Sequence, residues 1–299
     1  MLSVVAFVAM ASCIKAAGDA VPTGEAVFFR SAFALPPILL WISLRGGLVE
    51  RVASRNPAGH LWRGLLGVSA MSLGFFALTL LPLPEVVSIG YAAPLLATLF
   101  AAMFLGERLR VYRLTAIAVG FAGVLLVLSP RLGGAGEAAD GAAPLLALGA
   151  LAALFSAVMS ALAQTVTRGL VATERTDAVV FWFTITCTTV SLATLPFGWT
   201  LPPAPLAGLL ALSGVLGGVG QIFLTESYRH AELGTVAPFE YTSMLFALAI
   251  GYLVFDEVPT GAMLAGGALI VAAGLAVVYR ERKLGLERAR ARAVSPTQG

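Results

Sequence analysis

Charge is what this sequence has least of. Only 12% of its 299 residues are Asp, Glu, Lys or Arg, about half the roughly 25% of an average soluble domain. Hydrophobic residues make up 59%, and mean hydropathy is +0.91. No soluble core buries so much apolar surface, and the apolar residues gather in runs of about 20, the length that crosses a bilayer. Lysine is scarcer still: Lys15 and Lys283 are the whole supply, and no GxxxxGK[ST] stretch is present. That excludes P-loop ATP hydrolysis as an energy source. His60 and His230 stand far apart without an HExxH, and Cys13 and Cys187 sit inside apolar runs without a CxxC. Metal, disulfide and histidine-based chemistry are not expected; neither a cofactor nor an enzymatic activity is called for. The pI near 9.1 would suggest nucleic acid in a soluble protein. In a membrane protein the basic residues read instead as cytoplasmic anchors, so no nucleic-acid partner is expected.

What is present divides into ten apolar spans bounded by charge, Pro or Gly, near 2–18, 24–44, 60–81, 84–105, 111–129, 143–167, 178–199, 204–227, 233–255 and 261–280. The chain starts on an apolar run with no basic n-region and no A-x-A site, so Met1 to Gly18 reads as a first span, not a cleaved signal. Two links are very short, Leu81-Pro82-Leu83 and the turn near Arg229-His230, which makes their flanking spans antiparallel neighbours. The stretch Gly133–Gly141 is the one flexible linker, and a basic helix-then-tail begins at Arg280.

Leu83–Val127 recurs at Leu233–Val277 at a constant offset of 150. Eleven of forty-five positions are identical without a gap, including Tyr91 with Tyr241 and Glu107 with Glu257. A fixed offset is the mark of internal duplication. Two five-span repeats are expected, 1–135 and 143–283, joined by a flexible linker at 136–142 and followed by a basic cytoplasmic tail at 284–299. With the N-terminus inside, sixteen Lys and Arg fall in or beside inner loops and the tail, Arg63 among them; only Arg131 falls outside, and Lys15 and Arg30 lie within spans. The bias places both termini in the cytoplasm. Five spans is an odd number, so the second copy lies upside down relative to the first. Inverted repeats of this kind are the architecture of secondary carriers, with a solute site near the midplane between them; a scaffold or a channel shares the pattern.

The residues also resemble a known family. Ten spans as two five-span repeats, the run Phe28-Phe29-Arg30 early in span 2 and the ending Phe104-Leu105-Gly106-Glu107-Arg108 of span 4 resemble the drug/metabolite transporter superfamily, EamA type. The second copy repeats that ending as Phe255-Asp256-Glu257, with Asp where the first has Gly. The resemblance implies an all-α, multi-pass carrier of a bacterial inner membrane that moves small organic metabolites by alternating access. Export of amino acids is the substrate class it suggests. Uptake of S-adenosylmethionine or riboflavin, or multidrug export, are the alternatives. A small-molecule substrate, the lipid bilayer and a coupling proton or ion are the expected partners, with the chain a monomer or weak dimer.

Ionisable groups inside a membrane are costly unless paired or wet, so each marks a candidate site. Glu240 stands seven residues into span 9, about 10 Å at 1.5 Å per residue, beside the repeated Tyr241. It can take a substrate amine or a coupling proton, or can bond a neighbouring helix. Lys15, near the outer end of span 1, either snorkels to headgroups or offers a cation to carboxylates. Arg30 lies about 9 Å below the outer surface; as part of the family motif it is expected to pair with Glu25 or another helix. Tyr91, Tyr241, Ser88 and Gln221 offer polar contacts and Phe75 and Trp182 aromatic ones to an organic solute. The stripe Ser156, Ser160, Gln164 on span 6 either faces a wet cavity or packs helices, packing being the reading for the serines, and Trp41, Trp62 and Trp199 read as interface anchors. Pro82, Pro84, Pro94 and Pro238 mark where spans 4 and 9 are expected to kink.

Overall fold

A computed structural model describes all residues except 106–110, 133–141, 231–239 and 295–299. Among the described residues the regular elements are all helical. In chain order they are α1 (Leu2–Ala17), α2 (Thr23–Ala32), α3 (Leu35–Leu44), α4 (Leu48–Val52), α5 (Pro57–Leu80), α6 (Leu83–Gly90), α7 (Ala92–Leu105), α8 (Val111–Leu132), α9 (Ala142–Val171), α10 (Thr176–Leu192), α11 (Ala204–His230), α12 (Ser243–Phe255) and α13 (Gly261–Val294). Among the described residues seven segments are long and apolar enough to cross a membrane, with α2–α3 and α6–α7 each counting as one; α1, α10 and α12 are apolar but shorter. The protein is an all-α membrane protein. The linker Gly133–Gly141, Glu107 and Pro238 lie outside the described residues.

Prolines explain two of the interruptions. A proline has no N–H for the carbonyl four residues back. Pro36 and Pro37 release Ala32 and Phe33, where α2 gives way to α3; Pro94 releases Gly90, where α6 ends at Tyr91. The chain breaks again at Tyr241–Thr242, just before α12, so the repeated tyrosines both occupy interruptions. Span 7 ends sooner than its apolar run suggests: α10 stops at Leu192, and a short 3₁₀ turn over Leu195–Phe197 is closed by Gly198 at φ 91°. At the end of α12, Asp256 adopts φ 53°, the left-handed C-terminal geometry that glycine usually fills. Beyond Arg280 the helix α13 continues to Val294.

The largest helix pairings are α5 on α9, α8 on α13 and α1 on α11. The α8–α13 crossing is antiparallel and close. A Cβ at Gly123 would stand 2.7 Å from the Gly266 carbonyl, and one at Gly266 would stand 3.0 Å from the Val127 nitrogen. Only residues without a side chain let these backbones meet. Ser156 joins the α5–α9 pair by donating to the Ala70 carbonyl at 2.7 Å. Among the described residues the two larger apolar clusters lie one around Tyr91, Tyr241, Met244 and Ile270, the other around Val68, Phe75, Leu83, Phe183 and Cys187; a smaller third joins Ala34, Ile38, Ile42 and Val180.

Candidate functional site

Between α6–α7 and α12 the repeated tyrosines touch, their ring centroids 5.3 Å apart at 62°. The Tyr91 hydroxyl bonds Ser243 Oγ at 2.6 Å and donates to the carbonyls of Tyr241 at 3.2 Å and Glu240 at 3.4 Å. At this helix break the Tyr241 carbonyl also takes the Met244 N–H at 3.3 Å, so the phenol adds a donor to backbone that the interruption frees from the regular helical ladder. Ser88 is fully buried; it donates to the Pro84 carbonyl at 2.6 Å and reaches Met244 Sδ at 3.2 Å. Glu240 is half-buried beside this group, and its carbonyl also accepts from Ser243 Oγ at 2.6 Å.

One end of the bundle is fastened by an ion pair. Lys15 Nζ lies 2.8 Å from Glu257 Oε1, each side chain 14% exposed, so Lys15 does not snorkel. Lys15 also donates to the Leu81 and Leu78 carbonyls at 2.8 and 3.3 Å, and Glu257 Oε2 accepts the Leu83 N–H at 2.9 Å. One cation and one carboxylate thereby tie α1, the α5–α6 link and the end of α12 together.

The opposite end carries a larger network. Arg51 meets the buried Asp177 at 2.7 Å, and Arg45 lies 3.6 Å from Asp177 and 3.0 Å from Glu226. Beside it, Glu174, in the α9–α10 turn, accepts the backbone N–H groups of Arg55 and Asn56 at 2.7 and 2.8 Å and the Ser54 hydroxyl at 3.2 Å. Burial pushes the Glu174 carboxyl up, but these donors and His60 outweigh it and hold the group below its ordinary 4.5. A depressed folded value means that the contribution to stability is complete above pH 4.5 and is lost as pH falls through the lower folded value. The melting-temperature gap between wild type and Glu174→Gln should therefore be constant near neutrality and close on acidification below pH 4.5. Parallel melts in detergent across pH check this; a gap that is unchanged or widens in acid contradicts it.

Deep between these ends lie two arginines. Arg30 on α2 is 4% exposed; Arg63 on α5 is half-buried, with its Nε sealed and unpartnered. Their guanidinium carbons lie 6.0 and 4.0 Å from the centre of the same ring, Phe183 of α10. Arg30 Nε has only the thioether of Met10, at 3.5 Å. Among the described residues neither arginine is ion-paired with a carboxylate. The expected partner Glu25 is turned away, its Oε2 accepting the Thr200 N–H at 3.0 Å. An arginine at the bilayer centre costs roughly 3 kcal/mol, and a cation–π contact returns up to about 2 kcal/mol when desolvated.

The other residues singled out in the sequence are scattered. Phe75 is buried in the cluster that holds Phe183. Gln221 reaches along its own helix to Thr225 Oγ1 at 3.5 Å. Trp182 is 37% exposed and donates to the Val52 carbonyl at 2.8 Å, at the Arg51 end. A cleft of about 360 Å³ opens between α2, α5 and α10, lined by Gly24, Val68, Ser69, Ser72, Val190 and Thr194 among others. Arg63 reads in the sequence as a loop-side anchor, and the signal that separates it lies in the 150-residue offset: Gly64, Leu66 and Gly67 recur as Gly214, Leu216 and Gly217. A Cβ at Gly67 would strike Arg63 and Phe183, and one at Gly217 would stand 2.8 Å from Arg30 Nε. Equivalent glycines of the two copies make room for the two guanidinium groups.

A family model described as the EamA-like transporter family matches residues 1–129 and 147–280. The chain is 32% identical over 277 residues to the pseudopaline exporter CntI of Pseudomonas aeruginosa (strain UCBPP-PA14), covering 91% of each chain. It is 28% identical to a riboflavin transporter of Rhizobium johnstonii, covering 88% of this chain and 83% of that one. It is 25% identical to an S-adenosylmethionine uptake transporter of Rickettsia felis, over 95% and 92%. A protein of known crystal structure shares the fold with a TM-score of 0.68 at 24% identity, over 95% of this chain and 96% of that one.

Proposed function

This chain belongs to the EamA-like transporter family, and from that premise we propose that it exports small metabolites of the amino-acid type across the inner membrane. It works by alternating access, as ten spans in two inverted five-span halves with both termini in the cytoplasm. The observation that carries the reading is the contact between Tyr91 and Tyr241. A residue and its repeat equivalent can touch only beside the axis that exchanges the two copies, and a carrier built from inverted repeats works about such an axis.

The helix pairings support the same exchange. Adding or subtracting the offset of 150 carries the α5–α9 pair onto α11–α1 and returns α8–α13 to itself, antiparallel. The basic bias assigns the Arg45–Asp177 network to the cytoplasmic face and the Lys15–Glu257 pair to the outer face. Each fastening then opens in turn while the other holds, and Tyr91 and Tyr241, at broken helices, are the points about which the halves rock. Pseudopaline, riboflavin and S-adenosylmethionine, the solutes named for the relatives, support a small-metabolite cargo; the choice of amino acids rests on the family resemblance. In that role Glu240 takes the substrate amine or a coupling proton.

Proteoliposomes loaded with labelled alanine, leucine or glutamate test the proposal by efflux. Wild-type protein should release at least one of them faster than empty vesicles do. Glu240→Gln should slow release about tenfold or more while remaining folded, since a charge-assisted hydrogen bond is lost. Wild-type efflux in that variant removes Glu240 from the mechanism, and efflux of none of the three removes amino acids from the cargo.

A further inference from the structure

We propose that Arg30 and Arg63, both set against Phe183, form an anion-binding subsite, and that the solute of this carrier bears two carboxylates and a net negative charge. The inference rests on the transport reading above and narrows its substrate class to acidic amino-acid-like or dicarboxylate metabolites.

The two guanidinium groups lie within 6.0 Å of one ring, so they repel one another across a medium that screens poorly. The acids on neighbouring elements are already engaged. Glu25 turns its Oε2 to Thr200 and keeps its Oε1 buried without a donor, away from ion-pair range of both arginines. Asp177 is held by Arg45 and Arg51, and Glu257 by Lys15. Met10 Sδ is a weak acceptor, and Arg63 Nε has no acceptor at all. A buried and a half-buried cation set against one ring, with no carboxylate ion-paired to either among the described residues, call for an anion from outside. Each guanidinium presents a planar fork that fits one carboxylate, so the pair fits two. A zwitterion with a single carboxylate would satisfy one arginine and bring its ammonium toward the other. Phe183, which both guanidinium groups approach, supplies apolar surface for the carbon skeleton of the solute. The site is built on both copies of the repeat: Gly67 clears the space for Arg63 and Phe183, and its equivalent Gly217 clears it for Arg30 and Met10. A ligand held there contacts α2, α5 and α10 at once, between the two fastened ends.

The test is binding to the purified full-length protein in detergent, read as a ligand-dependent rise in melting temperature. Succinate and L-glutamate serve as acidic probes, with L-leucine and choline as controls. The acidic probes should stabilise the wild type at concentrations where the controls do not. Arg30→Gln and Arg63→Gln should each weaken succinate binding at least about tenfold, and Arg63→Lys should lose less than Arg63→Gln. Leucine or choline acting as strongly as succinate overturns the proposal, as does undiminished succinate binding in both glutamine variants. Wild-type selectivity alone decides if the variants do not fold. Flux in proteoliposomes separates this inference from the one beneath it. Succinate that binds through both arginines but never crosses the membrane keeps the subsite and overturns the carrier reading. Leucine exchange that is indifferent to both arginine substitutions keeps the carrier and overturns the subsite.

Discussion

Glu257→Ala should melt well below wild type, by the equivalent of about 3 kcal/mol or more, because it leaves a mostly buried ammonium without its counterion. Glu257 performs two bonds at once, to Lys15 Nζ at 2.8 Å and to the Leu83 N–H at 2.9 Å. Without it Lys15 retains the Leu78 and Leu81 carbonyls and the face of the Phe255 ring, none of them an anion. Exposed ion pairs are worth about 0–1 kcal/mol, so the size of the effect reports the low exposure of this one. The double variant Lys15→Met, Glu257→Gln should recover part of the loss, since removing both charges leaves no orphan. Melts of the two single variants and the double one, in the same detergent, measure the coupling. Additive losses would mean that the two groups act independently.

Gly266→Leu should cost about as much, about 3 kcal/mol, the upper end of the range for overpacking. A Cβ there would stand 2.7 Å from Val127 Cγ2 and 3.0 Å from the Val127 nitrogen. The second of these neighbours is backbone and cannot rotate aside, so α8 and α13 must move apart. Gly261→Leu, at the start of α13 where a Cβ meets nothing within 4 Å, is the matched control and should melt close to wild type. Equal melting of the two variants would show that the close crossing contributes little.

The membrane-embedded all-α plan was legible in the sequence because it depends on bulk properties. Runs of apolar residues and missing charge suffice for it, and the Phe28-Phe29-Arg30 and Gly106-Glu107 motifs carried the family. Tyr91 and Tyr241 were legible as a pair because tyrosine is rare enough in an apolar chain for a fixed offset to stand out; that they would touch was not, since contact depends on where the axis falls. Lys15 and Glu257 were each visible, but their pairing joins residues 242 apart, and nothing local to either names the other. Trp182 carried an aromatic signal that suits a cavity wall or a membrane face equally, and the hydrogen bond to Val52 that decides its placement needs the fold of the α4 turn. Arg63 is the instructive case. A basic residue near the start of a span looks like a headgroup anchor; the repeated glycines beside it are a faint signal, and its proximity to Phe183, set by the packing of α5 on α10, is what brings it inward.

Counterflow in proteoliposomes tests the central reading, that this is a secondary carrier, most directly. Vesicles holding folded protein are loaded with unlabelled amino acid, S-adenosylmethionine or riboflavin, and the labelled form of each is added outside without ATP. Transient accumulation of label for one class of solute, absent from protein-free vesicles, is the expected result. No accumulation of any solute by demonstrably folded protein would contradict it.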